Sequence, residues 1–214
     1  MAASRIHLVR HGEVENPERV LYGRLEGYGL SVLGQRMAQA AADELAASGR
    51  PVSALFSSPL QRTQESAAPI ARAFDLTPQL DERFIEPAND FEGRRMTGPD
   101  GALRDPRSWV LLRNPLKPSW GEPFASIAAR MMAGIVDADA SVDGGDVIIV
   151  SHQLPIWMVA HTVAGKRLAH DPRKRRCDLS SITSLEKRDG VYVEVAYSDP
   201  AGPLHAEATD VGAV

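Results

Sequence analysis

The chain reads as an α/β domain with a mainly parallel sheet and helices on both faces. Three observations carry this. Short apolar runs at Ile6–Val9, Val52–Ser57 and Asp146–Val150 have the length and bounding of buried strands. Stretches of helical periodicity separate them. Near the end, Ile182–Lys187 and Val191–Tyr197 flank Asp189-Gly190, a hairpin turn signal that adds at least one antiparallel strand. At 214 residues, 43% of them hydrophobic, one domain with a substantial core is the natural size.

The first strand ends in Arg10-His11-Gly12-Glu13, and a glycine there lets the backbone turn sharply. Val14–Leu30, with Asn16-Pro17 and several glycines, reads as an ordered loop. Ser31 caps a helix whose stripe is Leu33, Met37, Ala41 and Leu45, and Gly49-Arg50-Pro51 ends it. After the Val52–Ser57 strand, Ser58 and Gln61 form a capping box, with Pro59 at the first helical position. Pro69 should kink or restart that helix. Thr77–Leu80 is a third, short strand. From about 92 to 121, prolines, arginines and tryptophans read as an inserted, lid-like subdomain with a short helix at Trp109–Arg113. Pro123–Asp139 is a helix with Phe124, Ile127, Met131 and Ile135 on its apolar face. Val147–Val150 is entirely β-branched and runs through Ser151-His152-Gln153 into a helix from about Leu154 to Ala164. A loose tail begins at about 200.

Bulk properties narrow the partners. A net charge of −4 disfavours nucleic acid, so an anionic substrate needs locally placed cations. The single cysteine, Cys177, allows no intrachain disulfide and fits a reducing cytoplasm. The chain shows no signal peptide and no apolar run long enough for a membrane span, so a cytoplasmic location is expected. There is no His-Glu-x-x-His and no cysteine pair, so neither metal nor cofactor is expected. His7 reads as a packing residue, and His161 and His170 have no evident partner. The basic run 166–176 is either a solvated face or an attractor for an anion.

The chemistry concentrates at the carboxyl ends of strands, where α/β sheets bind ligands. Arg10 and His11 end one strand and His152 ends another, while Arg62 follows a strand-to-helix turn. A neutral imidazole is a nucleophile near neutral pH, and a guanidinium matches phosphate oxygens. Together they point to attack on phosphorus.

These segments resemble the histidine phosphatase superfamily, also called phosphoglycerate mutase-like. The matching pieces are Leu8–Glu13, Ser57–Glu65, Asp81–Gly93 and Val147–His152, in the family's order. The resemblance implies a three-layer α/β/α sandwich with His11 as nucleophile. Arg10, Arg62 and His152 would surround the phosphoryl group, with His152 most useful as a charged donor. Asp81-x-Arg83-Phe84-x-Glu86 fits the family's acid loop, so Glu86 is the expected proton donor, with Glu82 and Glu92 as rivals. Asn16 is carried over as a phosphate ligand, one place early and before Pro17. Gln153 is placed to offer a backbone N–H at a helix N-terminus. Glu13 either orients the site or satisfies the turn. A small phosphorylated substrate and a homodimer are the partners this implies. The chain lacks the mutases' Glu-Arg-His-Tyr-Gly acid motif, which favours a phosphatase over a mutase-type transferase. A non-catalytic anion-binding module is the third reading.

Overall fold

The computed structural model describes residues 2–96, 101–104, 109 and 120–210. Its centre is a six-stranded sheet in the order β3-β2-β4-β1-β5-β6. β1 (Arg5–Arg10), β2 (Val52–Ser57), β3 (Gln79–Leu80) and β4 (Asp146–Ser151) run parallel. β5 (Ile182–Arg188) and β6 (Val191–Ser198) form the antiparallel hairpin, and β5 pairs with β1. Asp189 and Gly190 both have positive φ, 50° and 80°, as a tight hairpin turn of the right twist requires.

β4 shows why a central parallel strand is apolar throughout. Val147 and Ile149 pack with Ile6, Leu8, Ile127, Met131 and Met158, against α3 (Phe124–Ala140) and α4 (Gln153–Val163). Ile148 and Val150 point the other way, to Ala41, Leu45, Ala67 and Ile70 of α1 (Val32–Ala47) and α2 (Gln61–Phe74). Strand alternation thus sends one side chain to each layer in turn. All four are fully buried. At about 2 kcal/mol per buried side chain, this strand alone contributes on the order of 8 kcal/mol of gross hydrophobic stabilisation.

Several local expectations are corrected. α2 begins at Gln61 with Leu60 at its cap position, and the Ser58–Gln61 box does not form. Gln61 instead donates to Glu65, and the Ser58 hydroxyl is engaged elsewhere. α2 also continues as one helix through Pro69, so it is not restarted there. The loose tail is replaced by a 3-10 helix at Gly202–Glu207, with Leu204 and Ala208 packed on Met37, Leu179 and Ala201. Apolar side chains shared with α1 hold it down. The lid-like insert at 92–121 and the helix at Trp109–Arg113 fall largely outside the described residues. Ser31 does cap α1, accepting from the Gly34 N–H at 2.9 Å. Among the described residues, no helix is long and apolar enough to cross a membrane.

Gly12 is needed for room and not for a left-handed turn, since its φ is not positive. A Cβ there would lie 2.3 Å from the Gly34 carbonyl oxygen, and one on Gly34 would lie 2.0 Å from that of Glu13. The two glycines let the start of α1 touch the exit of β1. Gly12→Ala should therefore cost about 1–3 kcal/mol and lower the thermal midpoint by roughly 2–12 °C. Calorimetry checks this, and an unchanged midpoint contradicts it.

Candidate active site

The register of β1 on β4 sets the site. Arg10 lies opposite Ser151, so the next residues, His11 and His152, leave the sheet side by side. The His11 N–H donates to the Ser151 carbonyl at 3.1 Å, and the two ring centroids are 5.2 Å apart. β2 ends beside β4, with the Ser58 N–H on the Val150 carbonyl, and places α2 and Arg62 at the same edge. Arg10, His11, Arg62, Glu86 and His152 are each between 0% and 3% exposed. Burying five polar groups this completely requires partners.

The His11 Nδ1 lies 2.8 Å from the Gly12 carbonyl oxygen, which can only accept. Nδ1 therefore carries the proton, and Nε2 keeps its lone pair. Burial, then Arg62 and Arg10, pushes the ring's pKa well below its ordinary value. His152 is lowered in the same way, by burial, then Arg62, His11, Arg130 and Arg10. Two imidazoles beside two guanidiniums thus resist further protons, and a charged ring at His152 calls for an anion beside it. The Ser58 hydroxyl lies 2.8 Å from His152 Nε2 and already accepts from the Leu60 N–H at 3.4 Å. Ser58 thus occupies Nε2, which leaves His152 Nδ1 toward Glu86 and the pocket.

Arg10 is held from behind. Nη1 donates to the Cys177 carbonyl at 2.7 Å, and Nη1 and Nη2 grip Asp210 at 2.9 and 2.6 Å. Burial would lower its pKa, but the Asp210 carboxylate overrides this and the net shift is upward. Arg62 donates from Nη2 to the Gly23 carbonyl at 2.7 Å and lies 4.8 Å from the Tyr22 ring centroid, a cation–π contact. The Val14–Leu30 loop thus serves to seat Arg62.

Glu86 is positioned through Phe84. That ring is fully buried against Phe56, and a Cβ on Gly134 of α3 would lie 2.7 Å from it. Carbonyls of the segment are pinned by Ser151 on Phe84, Arg130 on Arg83 and Arg24 on Glu86, at 2.7, 2.7 and 2.6 Å. Oε2 sits 3.4 Å from His152 Nδ1 and 4.0 Å from Arg62 Nη2. Burial raises the Glu86 pKa and outweighs Arg62, Arg10, Arg175 and Arg130, which lower it. With His152 neutral, the contact between them is not an ion pair, and it forms no hydrogen bond. Of the rivals, Glu82 is exposed, and Glu92 accepts from the Arg24 N–H at 2.9 Å.

Two other sequence-based candidates sit differently. Asn16 uses both ends of its amide on Val20, at 2.8 and 3.2 Å. It lines a surface hollow with Glu13, Pro17 and Arg19, so its expected place on phosphate is corrected to closing a turn. Gln153 opens α4, so its N–H is among the free donors of the first turn. Its side chain reaches Cys177 and Arg175 instead. Glu13 ties the Ser31 hydroxyl to the Thr209 N–H. His7 is bound to Ser184 and Asp146 at 2.8 and 3.1 Å. Ser58, Tyr22, Ser151 and Asp210 escaped the sequence reading as members of this site.

The pocket asks for an anion. Four of its buried atoms have no partner among the described residues: Arg10 Nε, Arg62 Nε, His152 Nδ1 and Glu86 Oε1. Donor atoms of His11, Glu86 and His152 lie within 4.8 Å of one another, close enough to hold a cation. Two guanidiniums act on the same space, so the field disfavours one.

A parallel sheet edge built this way defines a class of α/β proteins with buried guanidiniums beside an uncharged imidazole. The chain belongs to the histidine phosphatase superfamily (branch 1), whose sequence profile matches residues 6–200. The uncharacterized protein Rv0525 of Mycobacterium tuberculosis is 52% identical over 198 residues, covering 92% of this chain and 97% of its own. Phosphoserine phosphatase 1 of Hydrogenobacter thermophilus is 27% identical over 209 residues, covering 95% and 97%. The solved mycobacterial glucosyl-3-phosphoglycerate phosphatase Rv2419c aligns with a TM-score of 0.73 at 23% identity, covering 89% and 96%, a likeness of fold.

The buried rings have a consequence for acid stability. Below about pH 6.5 the unfolded chain binds protons that the native His11 and His152 refuse, so stability falls as pH drops from 7 toward 5. Replacing both rings with asparagine should flatten that slope, measured as the thermal midpoint against pH. An equally steep slope in the double variant contradicts the assignment.

Proposed function

We propose that this chain is a phosphomonoester hydrolase working through a phosphohistidine on His11. The observation that carries this is the set of four unpartnered buried atoms around the His11 ring, which a phosphoryl group would satisfy. A phosphoryl group in transfer spreads negative charge over three oxygens. Arg10, Arg62 and His152 are arranged to meet that charge.

In this reading His11 Nε2 gives its lone pair to phosphorus as the ester P–O bond breaks. Glu86, kept protonated by burial, passes its proton to the departing oxygen, so the alcohol leaves neutral. Water then attacks phosphorus, and the Glu86 carboxylate takes its proton. The P–N bond breaks, phosphate leaves, and His11 returns to its starting state. Phosphoserine phosphatase 1 and the solved Rv2419c are both phosphatases, which supports hydrolysis over transfer. Nothing in the sequence calls for a metal, so chelator should not reduce the rate.

The test is turnover of p-nitrophenyl phosphate and of an alkyl phosphate, with 3-phosphoglycerate plus a bisphosphate primer as the transferase control. Free phosphate is expected from the esters, and positional transfer without release would favour a mutase. His11→Ala should abolish turnover and the acid-labile phosphoenzyme. Glu86→Gln should slow the alkyl ester by about 10²–10⁴-fold and the nitrophenyl ester much less, the scale of general-acid catalysis. Leaving-group dependence at Glu82→Gln instead would move the acid. Silence with every ester, alongside tight phosphate binding, would leave a binding module.

A further inference from the structure

Beside Glu86 the fold builds a second compartment, a cleft of about 130 Å³. Pro87 and Ala88 follow Glu86 directly, and Leu154 is two residues past His152. Trp120 and Phe124 add aromatic surface. The cleft is thus lined by chain neighbours of Glu86 and His152, and its Arg175 acts electrostatically on Glu86.

Two charged side chains line it, and they differ. Glu122 is spoken for: Arg130 holds both its oxygens, at 2.9 and 3.0 Å, and Arg24 lies 3.6 Å away. Arg175 hydrogen-bonds only neutral groups, and the Glu86 carboxyl acts on it without contact. Its Nε donates to His170 Nε2 at 2.9 Å and its Nη1 to Gln153 Oε1 at 3.3 Å. His170 is fixed for this, because its Nδ1 lies 2.7 Å from the Leu168 carbonyl and its ring packs 5.3 Å from Phe124. Burial draws the Arg175 pKa down to about 10, which still leaves it charged at neutral pH.

Its neighbours in the basic run, Arg173, Lys174 and Arg176, are exposed. Other arginines held in the fold have carboxylates at contact: Arg10 on Asp210, Arg83 on Asp81, Arg130 on Glu122. Arg175 forms no such ion pair among the described residues. A cation drawn into an apolar cleft with no carboxylate at contact is costly unless a ligand brings one.

Building on the hydrolase reading, we propose that this cleft receives the leaving group and that Arg175 binds a carboxylate on it. The substrate class is then a phosphomonoester of an alcohol with an apolar body and a carboxylate. One guanidinium matches one single negative charge, whereas a second phosphate dianion calls for more than one cation.

Calorimetric binding of non-hydrolysable probes tests this: benzylphosphonate, 4-carboxybenzylphosphonate and the corresponding bisphosphonate. The wild-type protein should prefer the carboxylate probe over benzylphosphonate by about tenfold or more, the scale of a charge-assisted hydrogen bond. In Arg175→Gln that ratio should collapse toward one, and in Arg175→Lys part of it should remain. A merely structural arginine would shift both affinities together and leave the ratio standing. No preference in the wild type, a preference that survives Arg175→Gln, tighter binding of the bisphosphonate, or no binding of any probe overturns the proposal. Turnover of p-nitrophenyl phosphate is read in parallel. Turnover without a carboxylate preference sinks this subsite alone, and a preference without turnover sinks the hydrolase reading alone.

Discussion

Everything at this site follows from one pairing, the parallel register that sets Arg10 against Ser151. Adjacent strands lie under 5 Å apart. Two residues leaving them at the same level must therefore meet, and both are histidines. The strand that enforces this, β4, is buried on both faces by layers of helices, so slipping it by one residue would reverse every contact it makes. The core does more than stabilise the fold, since it fixes the spacing of the two rings.

Around that pair, burial and charge act in the same direction. Removing water makes protonation of the rings unfavourable, and two guanidiniums make it more so. The same removal of water favours the protonated form of Glu86 against four nearby cations. The pocket's positive field thus comes from guanidiniums, with its imidazoles uncharged. An arriving oxyanion finds fixed donors and reorganises little, which is what makes preoriented dipoles effective. Asp210 adds to this from behind, since it occupies the Nη groups of Arg10 and leaves Nε for the pocket.

What could be read from the sequence was local. Four β-branched residues in a row announced β4, a serine announced the start of α1, and an arginine and a histidine at a strand end announced the pocket. Relations between distant segments were not legible. Asp210 lies 200 residues from Arg10, and nothing in a polar terminal stretch marks one carboxylate as a partner. Ser58 carried a convincing local signal for capping, and a histidine 94 residues away outcompeted it. In the basic run, six similar side chains gave no hint that Arg175 alone meets Gln153 and His170. Asn16, one place early for the family's spacing and before a proline, closes a turn on Val20.

The seating of Phe84 carries a consequence for anyone mapping this protein by mutation. The ring wedges into the space left by Gly134, two residues before the glutamate whose proton is at issue. Changes on the buried side of α3 would therefore displace the carboxyl through the backbone, with no contact to a bound ester. In a deep mutational scan, such positions would group with the catalytic residues and not with the rest of the interior.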